Sequence, residues 1–186
     1  KVMTSVSTTV TDARDDVEPQ DIWSPILATF LFNFLVYIFA QFKKDNSIVD
    51  IFWGLLFIVA LLTSLLVSMN WNERTILVFS LVVIWGLRLA FHIGVRHTNG
   101  EDFRYKEMRD RWEPKGKCYY YIVALMFVYM LQAFVCVIVN SSALFVAIWS
   151  GPDFYWLDAL GAFIWLLGFA TELIADWQLM QFRNNQ

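Results

Sequence analysis

The chain has 186 residues, of which 58% are hydrophobic and only 17% are charged. Soluble domains average about 45–50% apolar and about 25% charged residues, so this composition excludes an ordinary soluble protein and indicates an integral membrane protein. The formal net charge is −3 and the basic residues form no extended patch, so we expect no nucleic-acid partner.

The first 21 residues differ from the rest of the chain. Residues 1–21 are polar and then acidic, without the apolar stretch of a signal peptide and with too many acidic residues for a transit peptide. We therefore divide the chain into a polar tail, 1–21, and a transmembrane helical domain, 22–186. A transit peptide cleaved ahead of Lys1 would leave such a start. On that ground we expect the mitochondrial inner membrane, with the endoplasmic reticulum as the alternative.

Five apolar segments are each close to the roughly 20 residues that one bilayer span requires. The predicted fold is therefore all-α and polytopic, with about five transmembrane helices. The segments are residues 22–42, 48–69, 75–94, 119–148 and 154–182. The fourth is longer than one span needs, so it is either one tilted helix or two helices that break near Asn140.

The distribution of Lys and Arg predicts the orientation, because cytoplasmic or matrix loops carry an excess of basic residues. With five spans, most basic residues fall on the side that holds residues 43–47, residues 95–117 and the end of the chain. We call this the basic side. The only two histidines, His92 and His97, are five residues apart, and the two cysteines are isolated. We therefore predict no metal site.

Ionisable residues inside the predicted spans indicate where chemistry takes place. Glu172 and Asp176 lie four residues apart, so a helix places both on one face, which should point away from lipid. Asp50, Arg88 and His92 lie at the same end of their own spans. We expect a buried polar cluster in which Arg88 pairs with Glu172 or Asp176. Two interpretations stay open, an ion-pair cluster that fixes helix docking and a polar cavity for an anionic ligand.

The loop after the third span supplies further cations. Its residues Arg104, Tyr105, Arg109 and Arg111 suit contacts with phosphates, since Arg binds phosphate oxygens bidentately. The same pattern suits an interfacial helix on anionic headgroups, which makes bound phospholipid an expected ligand.

Four short motifs recur in a fixed order and resemble the steroid 5α-reductase superfamily, in its branch of unknown function. They are Ser47-x-Val49-Asp50-x-x-Trp53, Trp85-x-x-Arg88-Leu89, Gly100-Glu101-Asp102-x-Arg104-Tyr105 and Glu172-x-x-x-Asp176-x-Gln178. The resemblance implies an all-helical membrane reductase that uses NADPH to reduce a double bond conjugated to a carbonyl in a steroid or other lipid. By the same resemblance, Glu172, Asp176 and Arg183 would help to hold the cofactor.

The sequence departs from this family in one respect. The family continues into a Gly-Leu-Trp segment and an Arg-His-Pro-Asn-Tyr stretch that close over the nucleotide, and neither occurs here. Our first expectation is therefore a noncatalytic accessory subunit of a larger, respiratory-type membrane complex, with other membrane subunits as partners and no cofactor. The alternative is an NADPH-dependent membrane reductase of an enone-containing lipid, so the sequence leaves enzymatic activity open.

Overall fold

The computed structural model describes residues 17–97 and 100–184, except for the side chains of residues 183 and 184. Within these ranges every regular element is a helix, and five helices are long and apolar enough to cross a membrane. The predicted fold class is confirmed. The five helices are α1 (Pro19–Lys43), α2 (Ile48–Ser68), α3 (Glu73–Arg96), α5 (Lys117–Trp149) and α6 (Trp156–Asn184). The short polar helix α4 (Phe103–Trp112) lies between α3 and α5.

Helix α1 begins at Pro19, three residues before the predicted first span. Glu18 precedes it and forms a capping box with Asp21, which satisfies backbone N–H groups that the first turn leaves unpaired. The last three residues assigned to the polar tail therefore belong to α1, and residues 1–16 lie outside the described part of the chain.

Helix α5 runs without a break through the segment for which one span and two spans were both open. It has 33 residues and contains a π-helical stretch, Leu125–Met130. The side chain of Asn140 is buried and donates a hydrogen bond to the carbonyl of Phe57 on α2, at 3.2 Å. Asn140 therefore attaches α5 to its neighbour and does not end it, so the five-span topology stands.

The π-helical stretch of α5 lies against polar side chains of α1. A π turn changes the i→i−4 hydrogen-bonding pattern and leaves backbone groups that need other partners. Asn33 of α1 donates to the carbonyl of Tyr129, and the hydroxyl of Tyr37 donates to the carbonyl of Tyr121 at 3.1 Å. These bonds fix the register between α1 and α5, because polar groups inside a membrane have few other partners.

Helix α2 is the centre of the bundle and packs against α1, α3 and α5. The backbones of α2 and α3 come into direct contact where Gly54 and Gly86 face each other. A methyl group built on Gly54 would lie 2.3 Å from the carbonyl oxygen of Gly86, and one built on Gly86 would lie 2.6 Å from that of Gly54. Only glycine at both positions lets the two backbones approach this closely.

Helix α6 stands at the edge of this bundle, and among the described residues its main contacts are with α3. Its apolar side chains are exposed along its length, and Leu166 and Trp177 each expose more than half of their surface. No residue in its most apolar 18-residue window is buried. What holds α6 in place is therefore a small number of specific contacts with α3.

Candidate functional site

The contacts between α3 and α6 include a cluster of charged side chains within the two membrane helices. Arg88 on α3 donates one hydrogen bond to Glu172 and another to Asp176, both on α6. The Arg88 side chain is 14% exposed, and the two carboxylates are 35% and 27% exposed. The predicted pairing of Arg88 with these carboxylates is present, and each of the three charges has a partner that offsets the cost of burial.

His92 lies one turn beyond Arg88 and belongs to the same cluster. Its Nε2 atom is 3.6 Å from Asp176 and 3.1 Å from the guanidinium of Arg96, one further turn along α3. The spacing of four residues places Arg88, His92 and Arg96 in one row on α3. The row extends about 12 Å along the helix axis, from the ion cluster to the basic side.

Asp50 was expected to join this cluster and does not. Its carboxylate accepts a hydrogen bond from the hydroxyl of Tyr105 at 2.6 Å and one from Arg104 at 3.2 Å, both from α4. The positions of Asp50 and Arg88 within their spans predicted the same depth in the membrane. The rotation of α2 about its axis, however, directs Asp50 to α4. Burial and the adjacent Asp50 charge raise the pKa of Tyr105, so its phenol stays protonated and donates to the carboxylate.

The arginines expected to bind phosphates are mostly engaged by neighbouring carboxylates. Arg109 donates two hydrogen bonds of 2.8 Å to Glu101 and one of 2.8 Å to the carbonyl of Lys44. The Glu101 partner raises the pKa of Arg109. Arg109 therefore ties α4 to the α1–α2 loop.

The other two arginines of α4 remain closer to solvent. Arg104 is 57% exposed and contacts Asp102 at 3.0 Å, in addition to Asp50. Arg111 pairs with Glu107 one turn earlier on the same helix, at 3.2 Å. Each of these guanidinium groups has five N–H donors, more than the neighbouring carboxylates accept, so Arg104 and Arg111 can donate further hydrogen bonds. Tyr105, expected in the same phosphate-binding loop, is buried instead.

A buried polar network beneath α4 was not predicted from the sequence. Asn46 is 2% exposed and donates its backbone N–H to Glu101 at 2.8 Å and its side-chain amide to Tyr120 at 2.7 Å. His97 contacts Asp45 at 2.8 Å. The only signal in the sequence was the run Asp45-Asn46-Ser47 between two spans, which reads as an ordinary turn.

A polar cavity opens between these two clusters on the basic side. It has a volume of about 300 Å³, and its lining includes Asp50, Arg96, His97 and Arg104. This volume is at the lower end of the roughly 300–1,000 Å³ typical of small-molecule sites. Among the residues that the structure describes, Arg96 forms no ion pair with a carboxylate. The cavity therefore offers a guanidinium to an anionic group.

A second, apolar cleft separates α3 from α6 deeper in the membrane. It has a volume of about 270 Å³, and its lining includes Leu81, Val82 and Trp165. Arg74 closes its far end by pairing with Asp158 at 2.7 Å. Because 14 residues separate Arg74 from Arg88 and also Asp158 from Glu172, α3 and α6 run parallel between two sets of ion pairs.

Two sequence-based expectations about ligands remain, a cofactor role for Arg183 and the absence of a metal site. Arg183 lies in the last turn of α6, but its side chain is outside the described residues. In the described ranges, no three His, Cys, Asp or Glu residues lie close enough together to hold a metal ion.

These features define a polytopic, all-helical membrane protein with paired charges inside the membrane and a polar cavity at one surface. A family model described as "Protein of unknown function (DUF1295)" matches residues 36–186. The chain belongs to that family, which is steroid 5α-reductase-like. No curated protein and no solved structure matches the chain.

Proposed function

We propose that this protein is a membrane oxidoreductase that binds NADPH on its basic side and reduces a double bond in an apolar, lipid-like substrate. The observation that supports this proposal best is the pair of carboxylates on α6, Glu172 and Asp176, held by Arg88. Arg88 begins a row of basic residues that leads to the polar cavity. The family resemblance gives these two carboxylates a role in holding the cofactor.

The donor set suits part of a dinucleotide. Glu172 and Asp176 are partly exposed, and a carboxylate has about four acceptor positions, so both can accept further hydrogen bonds from ribose hydroxyls or an amide. Arg96, with no carboxylate partner among the described residues, suits a phosphate. NADPH, when bound, supplies a hydride to the substrate. The apolar α3–α6 cleft would receive the substrate and keep water away from it.

NADPH titration of the protein in lipid nanodiscs, followed by nicotinamide fluorescence, tests this proposal. We expect saturable binding that Arg96→Gln weakens about tenfold, since a hydrogen bond to a charged group is worth about 1.5–3 kcal/mol. Lys106→Gln removes the same charge from an exposed position on α4 and should leave binding unchanged. The absence of saturable binding at millimolar NADPH would contradict the proposal.

A second function, as a noncatalytic subunit of a larger membrane complex, is favoured by the exposed apolar surface of α6. Such a helix buries its outer face when other membrane subunits pack against it. The test is the size of the native particle extracted in mild detergent. A particle holding only the 21.8 kDa chain would contradict this function. Fractionation of the source cells would show in which membrane the protein lies. We propose the mitochondrial inner membrane for the subunit and the endoplasmic reticulum for the reductase.

A further inference from the structure

A separate pocket on the basic side has a surplus of positive charge. It lies where the end of α1, the end of α4 and the first turn of α5 meet, and it has a volume of about 170 Å³. Its lining includes Lys44, Arg109, Glu113, Lys117 and Tyr121. We call it the lysine pocket. It shares none of these residues with the polar cavity between α2 and α3.

The charges of the lysine pocket do not cancel. Arg109 is neutralised by Glu101, but neither Lys44 nor Lys117 forms an ion pair with any residue that the structure describes. Glu113 is the one carboxylate in the lining, and it likewise has no ion-pair partner in the described ranges. Two lysines against one glutamate leave a net charge of +1 in a site large enough for a small anionic group.

The position of the pocket indicates a lipid headgroup. Lys44 directly follows one membrane helix and Lys117 begins another, so both ammonium groups lie at the membrane boundary. The flanking apolar side chains are exposed, with Phe42 83% and Ile122 57% accessible. Acyl chains can therefore pass along α1 and α5 while the phosphate remains beside the lysines.

We propose that the lysine pocket binds the phosphate of an anionic phospholipid, with Lys44 and Lys117 as its cationic ligands. Glu113 opposes this binding because its carboxylate repels the phosphate. This proposal differs from the sequence-based expectation that the arginines of α4 contact phosphates, because Arg109 is already paired with Glu101. It does not depend on cofactor binding or catalysis.

The test measures retention of phosphatidylglycerol by the purified protein, using native mass spectrometry from mild detergent. A basic residue near a membrane surface contributes about fivefold in affinity for anionic lipid, so Lys44→Asn with Lys117→Gln should weaken binding about 25-fold. Asn is chosen at position 44 because Lys44 has a φ of 57°, a conformation that Asn tolerates well. Glu113→Gln should tighten binding about fivefold.

Three outcomes would overturn the proposal. Lys106→Gln removes one positive charge from the exposed face of α4 and should have no effect. A loss of about fivefold, equal to the share expected of each pocket lysine, would indicate nonspecific attraction. Weaker binding in Glu113→Gln would mean that Glu113 supports the pocket through an internal ion pair. Displacement of the lipid by inorganic phosphate at equal concentration would indicate a site for free phosphate. If the double variant fails to fold, Glu113→Gln alone still decides.

Discussion

The central bundle and the last helix are held together by different kinds of interaction. Helices α1, α2, α3 and α5 fit by shape, with the Gly54–Gly86 contact and with polar side chains of α1 bonded to carbonyls of α5. Helix α6 has no buried residue in its most apolar window and is attached to α3 by ion pairs near both ends. In a membrane, close packing and charge are alternative ways to specify where a helix lies.

The two kinds of interaction also differ in how much helix displacement they allow. A close backbone contact tolerates little displacement, because added atoms overlap at once. Ion pairs made by long side chains accept a range of helix separations, which suits a helix that lines both an apolar cleft and a polar site. The proposed cofactor and substrate sites accordingly lie along α6, and the central bundle provides the scaffold.

The largest expected effect comes from breaking the charge cluster. Arg88→Leu leaves Glu172 and Asp176 without their cation, which costs about 3 kcal/mol of α6 docking energy. Spin labels at Leu87 and Leu173, in a Cys118→Ser background, should change from a narrow to a broad distance distribution. Labels at Leu87 and Leu131 should keep a narrow distribution, because α3 and α5 belong to the central bundle.

The matched control for this variant removes all three charges. Arg88→Leu combined with Glu172→Met and Asp176→Leu should restore a narrow distribution, since replacing a whole buried ion cluster by apolar residues of similar volume is often nearly neutral. A narrow distribution in Arg88→Leu alone would show that the ion cluster does not hold α6.

A somewhat smaller effect is expected from overfilling the central bundle. Gly86→Ala places a methyl group 2.6 Å from the Gly54 carbonyl oxygen and should destabilise the protein by about 2 kcal/mol. The readout is thermal exposure of Cys136, a buried core thiol, to a thiol-reactive dye in the Cys118→Ser background. Gly94→Ala is the control, because its methyl group would meet Ile51 at an ordinary 3.7 Å. Equal melting temperatures for the two variants would contradict the role of the glycine contact.

The sequence predicted the parts of the fold that follow from hydropathy and charge. Five apolar runs, and one acidic pair at a four-residue spacing with Arg88 at the matching depth, were sufficient for the spans and the ion cluster. These features are local, or depend only on depth in the membrane. For the same reason the prediction failed for Asp50, whose partner is decided by the rotation of α2.

Tertiary contacts account for what the sequence did not predict. Gly54 and Gly86 lie 32 residues apart in the sequence, and the row of small residues that Gly86 begins with Ala90 and Gly94 does not identify Gly54 as its partner. The π-helical stretch Leu125–Met130 has an ordinary apolar sequence and was not predicted. Both features depend on which helix lies opposite, and hydropathy carries no information about that.

The smallest expected effect concerns α4, where charge again fixes a helix but at the membrane surface. The hydrogen bond from Arg104 lowers the pKa of Asp102 below its ordinary 3.8, and Asp102 also caps α4 through the N–H of Arg104 at 3.0 Å. Because the folded pKa is lowered, this contribution to stability is complete above the ordinary pKa and is lost as the pH falls through the folded value. The protection factors of the α4 amides, which correct for the intrinsic pH dependence of hydrogen exchange, should therefore fall below about pH 4. Asp102→Asn keeps a good cap but cannot titrate, so its α4 amides should show a weaker pH dependence than the wild type. Identical pH profiles would show that charge at Asp102 does not hold α4 and that, in this region, packing around Tyr105 is sufficient.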